Sequence, residues 1–247
     1  MKRLLLVLVG AIAFLPAAAR STPTRTGDWP VFGYDAARHN SAPSSTINAR
    51  NVGKLKRLQV TLDGTVDSSP ISVGGKFIVT TTYGRTEAID PNTGKVLWRF
   101  TPPSYAQVAG SAQITNASPA ASTDRTAVFA AASDGRIRKL RLSDGKVVWS
   151  TAITRDPTHE KIGTTLNLSG RFVIATTGGY TGDAPPYQGH VALIDRDTGS
   201  LVRVFNSLCS NRGGLLIPAT CTESGSAIWG RGGAVLPSQR NWLTAVN

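Results

Sequence analysis

The sequence predicts an all-β protein, a β-propeller built of four-stranded antiparallel blades. Three observations carry that expectation. Short apolar runs rich in Thr, Val and Ile alternate with Gly-bearing turns, long stretches of helix formers are scarce, and one phrase recurs. AIDPNTGKVLW near residue 88 returns as KLRLSDGKVVW about fifty positions on, and again as ALIDRDTGSLVRV. Gly94, Gly145 and Gly199 mark the copies, 51 and 54 residues apart. A fixed period of this length signals a repeat architecture whose units bury their apolar faces on one another.

Each copy contains the same elements in the same order. A first strand opens with Ser-Pro in two of them, SSPISV from Ser68 and ASPAAS from Ala117. Proline is tolerated there because its missing N–H need not enter the ladder. An apolar second strand follows: KFIVTTT at Lys76, AVFAAA at Ala127 and RFVIATT at Arg171. Gly-bearing turns are expected at Tyr83-Gly84, Asp134-Gly135 and Gly178-Gly179, the last widened by TGDAPPYQG. TEAID, RKLRL and HVALID form the third strands, and KVLWRF, KVVWST and SLVRVF the fourth. Four hairpin-linked strands in about fifty residues make one meander, and three copies make three complete blades. Partial blades flank them. KLKRLQVTL from Lys54 reads as the last strand of a preceding blade, and SAIWGRGGAV and NWLTAV as the first two strands of a following one. Three outcomes fit such an ending: a fragment of a longer chain, a small closed propeller completed by its N-terminal strand, or an open arc completed by another chain.

The recurring turn has a conformational reason. In Asp90-Pro91-Asn92-Thr93-Gly94, Pro91 presets φ for a type I turn and Gly94 can take the positive φ that closes it. Leu142-Ser143-Asp144-Gly145 reads as a loop one residue shorter with the same glycine exit. A phosphate loop would lead from a strand into a helix, and no helical period follows these glycines.

Residues 1–19 read as a signal peptide: basic Lys2 and Arg3, an apolar Leu4–Leu15, then Pro16-Ala17-Ala18-Ala19 for cleavage. The apolar run is too short for a comfortable span, and no later segment is long enough either. Residues 20–53 form an entry segment and residues 54–247 the blades. The expected location is the periplasm or the exterior. The formal charge is +12, or +10 without Lys2 and Arg3, which favours protein or surface partners of acidic character. Arg136, Arg138, Lys139 and Arg141 alternate with Ile137, Leu140 and Leu142, as on the wet face of a strand. No nucleic-acid module accompanies the charge, so nucleic acid is not an expected partner. Cys209 and Cys221 are an even pair in an oxidising compartment and predict one local disulfide. His39, His159 and His190 lack metal-ligand spacing and read as surface or loop residues; no metal site is expected from them.

Ala88-x-Asp90-x-x-Thr93-Gly94-x-x-x-Trp98 resembles the tryptophan-docking motif of the pyrroloquinoline quinone (PQQ) repeat. That repeat builds the propellers of quinoprotein alcohol dehydrogenases and of their non-enzymatic relatives. DWPVFGYDAARHNS from Asp28 and SGSAIWGRGGAV from Ser224 also resemble segments of those propellers. The second copy keeps Gly145 and Trp149; the third keeps Asp195, Thr198 and Gly199, with Arg203 where Trp would stand. The resemblance implies seven or eight blades in a full propeller, so this one is incomplete. It implies that each motif Trp packs between neighbouring blades, and that the stem of Arg203 must cover the third seam.

It also implies PQQ near the propeller axis, often with Ca²⁺, over a Trp and under a ring of adjacent cysteines, with an Asp as catalytic base. Cys209 and Cys221 stand twelve positions apart and cannot form that ring. No Asp can be matched to the base, and the catalytic residues stay unknown. Asp63, Asp90, Asp134, Asp144 and Asp156 sit in turns and read as partners of local backbone. Asp195 and Asp197 flank a turn whose counterpart in the first copy is structural. Trp229 and Arg231 are the cofactor-binding candidates, one to stack on a quinone and one to pair with its carboxylates. Two functions follow from the resemblance. One is an exported, non-catalytic binding scaffold that offers its edges to protein partners. The other is a truncated N-terminal portion of a PQQ-dependent alcohol or sugar dehydrogenase, acting on a small-molecule alcohol only in complete form.

Overall fold

The computed structural model describes residues 27–62, 64–180 and 183–234. The expected signal peptide, Asp63 and the NWLTAV strand lie outside the described residues. Within them, three meanders follow one another. The first runs β1 (Ile71–Val73), β2 (Lys76–Thr80), β3 (Thr86–Ile89) and β4 (Val96–Phe100). A single helical turn, α1 (Tyr105–Val108), leads to β5 (Ala120–Ala121), β6 (Ala127–Ala132), β7 (Arg136–Arg141) and β8 (Val147–Ala152). The third blade adds β9 (Glu160–Ile162) to β10 (Asn167–Ser169), β11 (Phe172–Gly179), β12 (His190–Asp195) and β13 (Leu201–Asn206). All ladders are antiparallel, and the third-to-fourth strand register shifts at one place in each blade: Ala88/Ile89, Lys139/Leu140 and Leu193/Ile194. The propeller fold expected from the repeat is the fold observed.

Each sheet lies between neighbours, and this explains a run that alternation alone cannot. Every residue of β6, AVFAAA, is buried. Val128 and Ala130 join a core with Ile71, Ile78, Ala88 and Trp98 of the first blade. Phe129 and Ala131 turn the other way and pack with Ile162, Val173, Ala192 and Ile194 of the third. Period-2 side chains thus serve two seams.

The same sandwiching overturns the reading of β7 as half wet. Arg138 is buried, pairs with Asp134, and lies over the Phe100 ring at 5.4 Å. Lys139 donates from Nζ to the Arg196 carbonyl of the third blade at 3.0 Å. Only Arg141 of the four cations is exposed. A strand between two blades keeps little wet face, so its charges must find partners, Arg138 in its own turn and Lys139 across the seam.

Four further expectations are corrected. The second turn is not shortened: Gly145 N–H donates to Arg141 O as Gly94 donates to Asp90 O and Gly199 to Asp195 O. Arg141 therefore takes the Asp position, and nothing is deleted. KLKRLQVTL forms no ladder among the described residues. Its Leu58 and Val60 approach Gly94, where a Cβ would stand 3.3 and 3.1 Å from their methyls. Gly178 and Gly179 are not a turn but the end of β11, paired with Lys161 and Glu160 of β9. SAIW is not a strand either. It lies beside β11 through Ile228 N–H to Thr177 O at 3.0 Å, and the preceding Gly225 makes an isolated parallel bridge to Gln188 ahead of β12. Ser226, Gly225 and Gly230 all have positive φ, which breaks any extended pairing.

The entry segment straps the blades. Trp29 exchanges both backbone bonds with Ser72 of β1, and the Pro30 carbonyl accepts from Ala121 N–H of β5. Asp28 accepts from Gly74 N–H and pairs with Arg125 at 2.8 Å. Arg38 reaches furthest, donating to Asn167 of β10 and to the Gly232 carbonyl at 2.6 Å.

Candidate functional site

The motif residues occupy blade seams. Asp90 is held by its own turn, accepting from Asn92 N–H at 2.7 Å and Thr93 N–H at 3.3 Å. These backbone bonds keep its carboxyl below the usual carboxylate range. Asp195 repeats the arrangement with Asp197 and Thr198 N–H at 3.0 and 2.9 Å. Those bonds, together with Arg171, lower its carboxyl. Trp98 Nε1–H donates to Leu142 O at 2.9 Å, and Trp149 Nε1–H to Arg196 O at 3.1 Å. Each acceptor lies at the same position of the next copy's turn. Gly145 and Gly199, at φ +71° and +76°, let those rings approach: a Cβ would stand 2.5 Å from Trp98 Cε3 and 2.7 Å from Trp149 Cδ2. Ala88 is fully buried opposite Trp98, while Arg203, opposite Leu193, is exposed. Cys209 and Cys221 are joined in a disulfide with Cα atoms 6.2 Å apart.

The histidines divide. His39 and His159 sit beside Asp35 and Asp156 in loops. His190, expected near the surface, is buried in β12: its Nε2–H donates to Ile153 O at 2.5 Å and Nδ1 faces Thr177 Oγ1 at 3.0 Å. Burial lowers its pKa.

Trp229 and Arg231 come together with partners the sequence reading missed. Trp229 is 37% exposed. Its ring edge rests on two glycines: a Cβ on Gly163 would be 3.0 Å from Cζ3, and one on Gly178 3.4 Å from Cζ2. The Lys161 ammonium stands over the ring at 5.6 Å although the residue is only 7% exposed. Burial lowers the Lys161 pKa, with the Asp67 charge opposing and that of Arg231 adding to it. Arg231 donates to Asp67 O at 2.8 Å and to its carboxylate at 3.0 Å. Asn116 Oδ1 is buried without a partner and lies 3.7 Å from where a Gly163 Cβ would stand. Glycines amid KIGTT and TTGG were the available signal, since small residues in strands mark close approach.

The result is a partly open aromatic floor with two cations and an orphaned acceptor around it. A planar anionic ring system such as PQQ fits that donor set: stacking on Trp229, pairing with Lys161 and Arg231, and an N–H or O–H toward Asn116. A Ca²⁺ ion does not, since among the described residues no three His, Cys, Asp or Glu side chains gather as ligands. A separate concavity of about 450 Å³ lies between Trp29, Ser45, Ile71 and Phe77; its carboxylate, Asp28, is already paired.

Comparison with known proteins agrees with this architecture. Residues 51–246 match a PQQ-repeat family model described as outer membrane protein assembly factor BamB. The chain belongs to that family. It is 27% identical over 224 residues to the dehydrogenase subunit of a quinone alcohol dehydrogenase of Gluconobacter oxydans, covering 81% of this chain and 29% of the relative. It is 29% identical over 197 residues to quinohemoprotein alcohol dehydrogenase ADH IIB of Pseudomonas putida, covering 76% and 27%. The solved quinohemoprotein alcohol dehydrogenase of Comamonas testosteroni superposes with a TM-score of 0.63 at 26% identity, over 75% of this chain and 28% of that one. The PQQ-repeat chain thus spans under a third of the length of these relatives. No helix among its described residues is long and apolar enough to cross a membrane.

Proposed function

We propose that this chain is the PQQ-binding, N-terminal portion of an exported quinoprotein-type propeller, in which Trp229, Lys161 and Arg231 hold the quinone. The observation that carries the reading is the exposed Trp229 ring bedded on Gly163 and Gly178 with two cations beside it. The chemistry such a quinone supplies when bound is two-electron acceptance, in the relatives named above from an alcohol. This chain's residues would stack it, neutralise its carboxylates and shield one face from water. The exported location rests on residues 1–19 and on the kinship with these proteins.

A second reading, binding without oxidation, is favoured by what the carboxylates are doing. Asp90, Asp124, Asp156 and Asp195 are engaged by backbone N–H groups of their own turns, and Asp134 by Arg138. In that case the protein is a scaffold whose cationic surface suits an acidic protein partner.

One titration separates the two. The purified chain is mixed with PQQ, and quinone absorbance is followed beside dye-linked oxidation of ethanol. Stoichiometric binding with turnover supports the dehydrogenase portion, and binding without turnover supports the scaffold. No retention of PQQ overturns the cofactor reading.

A further inference from the structure

We propose that this site takes its planar polycarboxylate without a divalent cation, the Lys161 ammonium and Arg231 guanidinium supplying the positive charge that a metal would otherwise bring. The inference rests on the reading of Trp229 as the floor of a quinone site. It goes beyond it by assigning the neutralising groups and excluding the metal expected with this cofactor.

Lys161 is the deciding residue. Lysine is rarely buried without a partner, because desolvating an ammonium is unfavourable unless an anion or aromatic face replaces water. Here the side chain is 7% exposed, lies over the Trp229 ring, and makes no hydrogen bond or ion pair among the described residues. A buried cation aimed across an accessible aromatic surface is an arrangement that an anionic ring would complete. Arg231 approaches the same space from the following turn and is 60% exposed at its side chain, so it can also meet an arriving carboxylate. Two carboxylates, Asp67 and Asp183, act on Lys161, and Asp67 already accepts from Arg231. A divalent cation placed here would face two like charges and two carboxylates that are already engaged, Asp67 by Arg231 and Asp183 by Tyr187. Asn116 Oδ1, buried and unpartnered beside Gly163, offers the acceptor for a ligand N–H or O–H. Charge-assisted bonds from Lys and Arg to carboxylates are roughly twice as strong as neutral ones, which suits them to neutralise the ligand directly.

The test is equilibrium dialysis of the purified full chain against PQQ, once with EDTA and once with excess Ca²⁺. Retained quinone is read by absorbance and folding by circular dichroism. The expected result is equal affinity in both buffers. Lys161→Gln should weaken binding by about tenfold or more, Lys161→Arg should restore part of it, and Arg231→Gln should weaken binding without touching the core. Retention that appears only with Ca²⁺ leaves the quinone site standing and overturns the metal-free assignment. So does unchanged affinity in folded Lys161→Gln and Arg231→Gln. Absence of binding in both buffers removes the quinone site and this inference together.

Discussion

Gly145 shows how much a single missing methyl can decide. Its φ of +71° is a left-handed conformation that costs a residue with a Cβ about 1–2 kcal/mol. Its hydrogen also faces the Trp98 ring, where a Cβ would lie 2.5 Å from Cε3. Overpacking of that kind costs a further 1–3 kcal/mol or so. Gly145→Ala should therefore destabilise the chain by about 2–5 kcal/mol, read as a lower urea midpoint with an unchanged slope. The same substitution at Gly75, which has positive φ but nothing within 4 Å, should lose only the conformational part. Equal losses at the two sites would mean that the Trp98 contact contributes nothing. The glycine was legible in the sequence as a turn residue. Its second duty, admitting a ring from the preceding blade, was visible only through the resemblance.

Among the elements, β9 is the one no sequence period announced. Glu160, Lys161 and Ile162 form three paired residues, all buried, against the far end of β11. They replace the turn expected at Gly178-Gly179, whose missing side chains instead admit Ala227 and Trp229 on one and Tyr187 on the other. What was legible elsewhere shares one property: AVFAAA, TEAID and KVVWST are flanked by turns whose chemistry fixes their ends. What was not legible depends on neighbours distant in sequence. The burial of Arg138 follows from Asp134 and Phe100, and the placement of Lys161 follows from Trp229, sixty-eight positions later.

Strand β9 also carries a titration. Glu160 accepts from Gln188 N–H at 2.9 Å and from Thr154 Oγ1, yet burial pushes its pKa up to about 7, with Asp156 adding to the shift. A carboxyl raised on folding is held protonated by the folded state where the unfolded chain has already ionised. Stability is therefore full below the unfolded value of 4.5 and falls as pH rises through about 7, by about 3 kcal/mol at most. Glu160→Gln should remove that slope. Melting temperatures of both proteins, followed from about pH 5 to about pH 8, should diverge upward in favour of the variant. Parallel curves would show that Glu160 titrates as an exposed carboxyl.

At the scale of the whole molecule, the blades are coupled by nearest-neighbour seams, as in other repeat proteins. The middle blade belongs to both described cores. Trp98 and Leu140 meet in one, Trp149 and Ile194 in the other. Phe129, 1% exposed and 5.8 Å from the Trp149 ring, lies in the second. Phe129→Ala should cost about 3–5 kcal/mol, since the cavity it leaves is walled by two rigid sheets. Because the seam is shared, the loss should not stay in the second blade. Hydrogen exchange should quicken in β11 and β12 as well as in β6 and β7, while β2 and β3 gain less. Ile78→Ala, on the opposite core, should reverse the pattern, loosening β2, β3 and β7 and sparing β12. If either substitution speeds exchange only within its own blade, the seams do not couple the sheets, and docking through Trp98 and Trp149 is a contact without energetic reach. If both speed exchange everywhere equally, the three blades unfold as one unit, and Trp229 shares the stability of the strands that carry its glycine bed.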